Sequence, residues 1–224
     1  MLTNFLFVGF PYVALVLAIV VSILRFTWRP FSYSSLSSQF LETESLFWGS
    51  SLWHWGILWV LSGHLFAFFL PEAILAWNAR PLRLYLLEIT GLSMALLALV
   101  GVVALIVRRF TDRRVKAVTS PLDLVLLAVL LYQVASGIDV AIRYRWGSAW
   151  FSTNAAPYLW SLIKLAPRPE LIAPLPWMVK LHFLSGFLVI LLLPFTRLVH
   201  FLVVPIFYYW RRPQVVIWNR KGLR

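Results

Sequence analysis

The sequence predicts an all-α integral membrane protein in which five transmembrane helices form a bundle. Of the 224 residues, 61% are hydrophobic and 12% are charged, and the mean hydropathy is +0.83. A soluble domain would carry about 25% charged residues. Five apolar runs approach the ~20 residues that a helix needs to cross a bilayer. The basic residues collect at the ends of these runs.

The five predicted helices make one membrane domain over residues 1–224, which ends in a basic tail, residues 210–224. The runs are about Phe5–Leu24, Phe47–Leu70, Leu84–Val107, Leu122–Ile142 and Trp177–Tyr209. The last run exceeds one crossing, and Pro194 and Pro205 are expected to bend it because each removes a backbone hydrogen bond. The connection from residue 143 to 176 is expected to lie on the membrane surface or to form a structured loop.

The distribution of lysine and arginine predicts the orientation. One side of the runs holds twelve of these residues: Arg25, Arg29, Arg108, Arg109, Arg113, Arg114, Lys116, Arg211, Arg212, Arg220, Lys221 and Arg224. The other side holds seven: Arg80, Arg83, Arg143, Arg145, Lys164, Arg168 and Lys180. Because the side richer in Lys and Arg faces the cytoplasm, we predict an outside N-terminus and a cytoplasmic C-terminus.

The net charge is +12, which in a soluble protein would suggest binding to nucleic acid. Here the basic residues lie at the ends of the apolar runs, so we expect the basic inner surface to have other partners. It is expected to meet acidic patches on a soluble subunit or the headgroups of anionic membrane lipids.

All four histidines lie in two of the predicted helices, His54 and His64 in the second and His182 and His200 in the fifth. Each could serve as a hydrogen-bonding residue between helices. Their confinement to two helices instead favours a shared function, because buried polar residues are costly in lipid. His182 and His200 are five turns apart on one stripe, and His54 and His64 are about 80° apart around theirs. If the two helices are antiparallel neighbours, His64 lies opposite His182, and His54 opposite His200.

Each facing pair offers two imidazoles to one group. Cysteine is absent, which excludes thiolate-held iron–sulfur clusters and covalently attached c-type haem on this chain. Zinc is the alternative, but structural zinc sites are usually four-coordinate and rich in cysteine. We predict two haem b groups, an outer one with its iron on His64 and His182 and an inner one on His54 and His200. Iron with both axial positions filled carries electrons.

Arg197 lies three residues before His200 and shares its face. An arginine stays charged and needs an anionic partner in the membrane. Glu88 and Asp139 are the acidic residues that the sequence indicates in the nearby helices, both toward the outer half. We therefore expect Arg197 to bind a haem propionate, with snorkelling to the inner interface as the alternative.

Two histidine-bearing stretches resemble the gamma subunit of respiratory nitrate reductase, a di-haem cytochrome b. They are "HWGILWVLSGH" (residues 54–64) and "LHFLSGFLVILLLPFTRLVH" (residues 181–200). "LSSQFL" (residues 36–41) and "RRVKAVTSPLDLVLL" (residues 113–127) are also similar to that family. The resemblance covers most of the chain, including its length, spans and orientation.

The resemblance implies the quinol-oxidising subunit of an enzyme complex in the inner (plasma) membrane of a prokaryote. Menaquinol or ubiquinol would give electrons to the outer haem, and the inner haem would pass them to an iron–sulfur subunit. A molybdenum-containing catalytic subunit would then reduce nitrate in the cytoplasm. One alternative keeps the haems but anchors another molybdenum or sulfur-metabolising complex; another is a haem-free transporter or scaffold.

The resemblance also implies a quinol pocket that includes Gly63, His64 and a basic residue at the start of the third helix, where Arg83 stands. That residue is often a lysine in the family. An arginine can donate hydrogen bonds to a quinol oxygen but does not readily accept a proton. The alternative role of Arg83 is an anchor at the membrane interface.

Overall fold

The computed structural model describes residues 2–28 and 47–203, and the regular elements in these ranges are all helical. Five helices are long and apolar enough to cross a membrane: α1 (Leu2–Trp28), α2 (Trp48–Phe69), α4 (Pro81–Thr111), α6 (Pro121–Arg143) and α8 (Trp177–Phe195). Three shorter helices join them: α3 (Pro71–Asn78), α5 (Arg113–Ala117) and α7 (residues 147–163). The predicted all-α class with five spans is confirmed, and the predicted orientation in the membrane stays a prediction.

Local chemistry fixes where several helices begin. Proline stands in the first turn of α3, α4 and α6, where a missing N–H leaves no hydrogen bond unmade. At α6, the Ser120 hydroxyl accepts the Asp123 N–H while the Asp123 carboxylate accepts the Ser120 N–H, at 3.2 and 2.9 Å. This reciprocal capping box satisfies two backbone donors that have no partner inside the helix.

The spanning helices pack in the order α2, α4, α6, α8 and α1. The contact between α2 and α4 is the most extensive, because two glycines let the backbones approach. A Cβ atom on Gly56 would come within 2.6 Å of the Ala98 nitrogen, and one on Gly101 within 2.4 Å of the Trp53 nitrogen. Gly56 therefore serves helix packing.

The connection between α6 and α8 is a structured segment that packs into one end of the bundle, here called the α7 end. Tyr158 of α7 is fully buried, and its hydroxyl donates to the Phe7 carbonyl of α1 at 2.7 Å. Burial raises the pKa of the Tyr158 phenol. Trp160 of α7 donates to the Phe68 carbonyl of α2 at 3.0 Å. These bonds tie α7 to both α1 and α2.

The fifth helix ends earlier than the predicted run. α8 is α-helical to Leu192 and then tightens around Pro194 into a 3-10 turn. Thr196 is extended, with ψ −179°, and a second 3-10 turn, Arg197–Val203, follows. We call this second turn the His200 turn. The rest of the predicted run, Pro205 and the tail over residues 210–224 lie outside the described residues.

Candidate histidine sites between α2 and α8

His54 and His200 come together at the end of the bundle that carries α5, here called the α5 end. Their ring centroids are 6.2 Å apart and their planes are inclined by 66°. Within the described ranges, α2 and α8 are not among the extensively packed pairs of helices. The two imidazoles therefore meet from elements whose backbones are held apart by their other neighbours.

The break at Thr196 explains how this pairing is reached. On ideal helices, His54 and His64 would be ~15 Å apart along the second span, and His182 and His200 would be ~27 Å apart along the fifth. The second value applies to a straight helix, but α8 ends before His200. The extended residue redirects the chain, so His200 is free of the ideal spacing from His182.

Three of the four imidazoles donate Nδ1–H to a carbonyl of their own helix or turn. The bonds are His54 to Ser50 at 2.7 Å, His64 to Val60 at 2.8 Å and His200 to Arg197 at 2.8 Å. Because a carbonyl only accepts, Nδ1 carries the proton and the Nε2 atom keeps a lone pair. Metal-ligating histidines are typically oriented in this way.

His182 is held by a different helix, α6. Its Nδ1 lies 2.9 Å from the Ser136 hydroxyl, and its Nε2 lies 3.4 Å from the Gln133 amide nitrogen. A Cβ atom on Gly137 would come within 2.9 Å of the His182 ring. These three α6 residues are missing from the sequence-based site. Ser136 and Gly137 follow Gln133 by three and four residues, so the three lie on one helical face. This polar and small-residue pattern in the fourth predicted helix could have indicated a surface that binds a side chain of another helix.

His64 approaches the same level from α2. Its ring meets Phe151 of α7 edge-on, with centroids 5.4 Å apart. His64 and His182 thus lie toward the α7 end, and His54 and His200 toward the α5 end. The pairing of His64 with His182 at one site stays a prediction.

The spacing of the His54–His200 pair fits axial ligation of a haem. A zinc–imidazole bond is ~2.0–2.1 Å long, and a similar bond on each side of one metal atom puts the two ring centroids ~6 Å apart. Across residues 2–28 and 47–203, no three His, Cys, Asp or Glu side chains cluster closely enough to hold a metal ion. A haem needs only two protein ligands, so the donor set fits haem better than zinc.

Arg197 has a carboxylate partner that the sequence analysis missed. Its Nε lies 3.0 Å from an oxygen of Asp123, whose side chain is 6% exposed, and it also donates to the Val118 carbonyl at 2.7 Å. The expectation that Glu88 and Asp139 are the available acids is therefore wrong, because the start of α6 meets the end of α8. The propionate role of Arg197 stays a prediction, since the guanidinium has donors besides those that bind Asp123 and Val118.

A residue of α1 also binds the segment in which the fifth helix ends. Arg25 donates to the carbonyls of Pro194 and Thr196 at 2.7 and 3.1 Å. Carbonyls at a helix end lack partners inside the helix, and the Arg25 guanidinium supplies one. Arg25 and the Asp123–Arg197 pair together hold the His200 turn in place.

The predicted quinol-pocket residues are only partly brought together. Gly63 and His64 are adjacent on an exposed face of α2, and a Cβ atom on Gly63 would meet no atom within 4 Å. The Arg83 guanidinium lies over the Trp77 ring of α3, 5.3 Å from its centroid, and the Arg83 carbonyl accepts the Trp77 indole N–H. In the part of the chain that the structure describes, no recorded contact joins Arg83 to His64 or Gly63.

The fold defines an all-helical protein with five candidate membrane spans, in which His54 and His200 approach each other at one end of the bundle. Comparison with known proteins makes this class specific. The model of the nitrate reductase gamma subunit family matches residues 3–219, and the chain belongs to that family. The family expected from the sequence is confirmed, and the chain is a membrane subunit of a respiratory nitrate reductase.

Several relatives match along nearly their whole length. The chain is 31% identical over 204 residues to the nitrate reductase gamma chain of Bacillus subtilis, which covers 90% of this chain and 92% of that protein. It is 29% identical over 220 residues to the respiratory nitrate reductase 1 gamma chain of Escherichia coli, covering 96% and 97%. The five candidate spans and these bacterial relatives place the chain in a prokaryotic cell membrane.

Proposed function

We propose that this chain is the quinol-oxidising di-haem cytochrome b subunit that anchors a respiratory nitrate reductase. The observation that carries the proposal is the 6.2 Å approach of the His54 and His200 rings from elements that otherwise pack on different neighbours. Family membership supports it, since a gamma chain implies the alpha and beta subunits of the complex.

The four histidines are the proposed axial ligands, His64 with His182 for an outer haem and His54 with His200 for an inner one. Two haem b groups would supply one-electron redox centres at two depths of the membrane. The protein's part is to orient the ligands: Nδ1–H donation leaves the Nε2 lone pair of His54, His64 and His200 for the iron. At His182 the Gln133 amide nitrogen lies 3.4 Å from Nε2, so this side chain would have to turn aside for iron to bind there. The stacked levels would let electrons cross the bilayer within one subunit.

The quinol site is proposed beside His64 at the α7 end. Gly63 presents no side chain, and no protein atom lies within 4 Å of the position that a Cβ would take. A flat quinol ring, of menaquinol or ubiquinol, could therefore approach the His64 level closely. Arg83, which rests on Trp77 at the start of α4, is the proposed hydrogen-bond donor or the interface anchor of this end.

The α5 end is the proposed docking side for the iron–sulfur subunit. Arg113, Arg114 and Lys116 are exposed on and beside α5, where they can meet acidic patches on a soluble partner or anionic headgroups. Electrons would leave the inner haem, held by His54 and His200, on this side, and a molybdenum-containing subunit would reduce nitrate in the cytoplasm.

An absorption spectrum of the purified complex tests the proposal. We expect two b-type haems per copy of this chain. His64→Ala or His182→Ala should remove one haem and stop quinol oxidation, and His200→Ala should remove the other. Ser62→Ala is the matched control on α2, because the Ser62 hydroxyl bonds to the Leu58 carbonyl of its own helix. A colourless complex made with ample haem, or two haems retained in a histidine variant, would contradict the proposal.

A further inference from the structure

We propose that Ser136 of α6 is a positioning residue that orients His182 and sets the redox potential of the outer haem. Gln133 and Gly137 complete the surface against which the His182 ring lies. The inference rests on the proposed function, because it assigns this surface a role in tuning a haem ligand.

His182 differs from the other three histidines in what holds it. His54, His64 and His200 donate to backbone carbonyls within four residues of themselves, and side-chain substitution cannot remove a carbonyl. The partner of His182 Nδ1 is a side chain 46 residues away in sequence, on another helix. The outer level therefore contains a ligand whose hydrogen bond can be removed by one mutation.

The direction of the His182 bond follows from counting protons. The Ser136 hydroxyl has one proton and lies 3.1 Å from the Gln133 carbonyl, which only accepts. Once that proton is donated to Gln133, the Ser136 oxygen accepts from His182 Nδ1–H at 2.9 Å. Ser136 is 4% exposed, so bulk water does not readily replace it.

Neighbouring contacts restrict the ring further. The Ser185 hydroxyl donates to the side-chain oxygen of Gln133 and turns its amide nitrogen toward His182. Gly137 lets the imidazole lie against the α6 backbone, since a Cβ atom there would come within 2.9 Å of Cε1 and 3.6 Å of both nitrogens. His182 is thus packed against α6, hydrogen-bonded at Nδ1 and approached at Nε2 by the Gln133 amide. Iron at Nε2 would displace the Gln133 amide and leave the Ser136 bond at Nδ1 in place.

An acceptor at Nδ1–H increases the basicity of the opposite ring nitrogen. A more basic ligand stabilises ferric over ferrous iron, which lowers the midpoint potential. Removal of the Ser136 oxygen should therefore raise the potential of the outer haem. The inner pair donates to the Ser50 and Arg197 carbonyls, and the Ser50 hydroxyl lies 3.3 Å from His54 Nδ1. None of these groups belongs to α6, so the inner haem should keep its potential.

The test is a redox titration of the intact complex in which the two haem signals are followed separately. Ser136→Ala should retain two haems per chain and raise the potential of the outer haem alone. Ser136→Thr keeps the hydroxyl and should restore the parent value. Ser62→Ala removes a hydroxyl from α2 that bonds to the Leu58 carbonyl of its own helix, and should move neither potential.

An unchanged outer potential in Ser136→Ala would overturn the inference, as would an equal shift in Ser136→Thr. If the alanine variant does not accumulate, Ser136→Cys has nearly the same shape with a weaker acceptor and should shift the outer potential upward; no shift would again overturn it. A parent complex without haem would sink the proposed function itself. A di-haem parent with an unmoved variant would sink this inference alone.

Discussion

Asp123→Asn removes the charge that holds the His200 turn while changing the side-chain shape very little. In the parent, one carboxylate oxygen lies 3.0 Å from Arg197 Nε and the other accepts the Ser120 N–H at 2.9 Å. Asparagine keeps a single oxygen, so it cannot accept both bonds. We expect the His200 turn to detach from α6 more easily in this variant.

The size of the effect follows from burial. Removing one partner of a fully buried ion pair costs ~3–5 kcal/mol. Asp123 is 6% exposed but Arg197 is 22% exposed, and the guanidinium also keeps its bond to the Val118 carbonyl. Water and that carbonyl stabilise part of the guanidinium charge. We therefore expect Asp123→Asn to weaken the attachment of the His200 turn to α6 by about 2–3 kcal/mol. Such a change raises the population of the detached turn roughly 30- to 150-fold.

The assay is haem content and thermal unfolding of the purified complex in detergent. Asp123→Asn should lower the occupancy of the inner haem, held by His54 and His200, and leave the outer haem bound. Glu170→Gln is the control, because the Arg168–Glu170 pair has the same charge change but both side chains are over 60% exposed; it should alter neither readout. If Asp123→Asn keeps the parental inner-haem content and the parental unfolding temperature, the Asp123 charge does not hold the His200 turn.

Three further substitutions have expected outcomes. Gly56→Ala should prevent accumulation of folded protein in a membrane-extraction assay, because its Cβ would lie 2.6 Å from the Ala98 nitrogen. Gly63→Ala should fold normally, since its Cβ meets no protein atom within 4 Å, yet reduce quinol-dependent turnover if a quinol lies there; unchanged turnover counts against the proposed pocket. Tyr158→Phe should lower stability by about 1–2 kcal/mol by leaving the buried Phe7 carbonyl without its donor, measurable as a lower unfolding temperature, and a parental value would show that another group satisfies it.

The spanning helices could be predicted because lipid imposes a length and a polarity on each of them. A run of ~20 apolar residues has few other uses, and all five runs correspond to long helices. The approach of His54 to His200 could be predicted for a related reason, since helix direction alternates and depth follows sequence position. The short helices α3 and α7 lack such a constraint. The position of α7 depends on tertiary contacts such as the Tyr158–Phe7 bond.

The partner of Arg197 could not be read from one helix at a time. Asp123 follows Ser120 and Pro121, a pattern that indicates a helix start, and the structure uses it for that purpose. Its second bond, to Arg197, joins residues that are far apart in sequence. Tertiary pairing of the start of α6 with the end of α8 therefore decides which acid is available.

Helix α6 contains none of the four histidines, yet it contacts the ligand-bearing segments at both levels. Ser136 meets His182 toward the α7 end, and Asp123 meets Arg197 of the His200 turn toward the α5 end. The two α6 residues are thirteen positions apart, about 20 Å along a helix. One rigid helix would then fix both ligand segments in mutual register.

If α6 supports both sites in this way, Ser136→Ala and Asp123→Asn should perturb different haems. Their effects should add in the double variant because the sites are well separated. If both variants perturb the same haem, or if their effects on stability are strongly non-additive, α6 does not act as a common support for two independent sites.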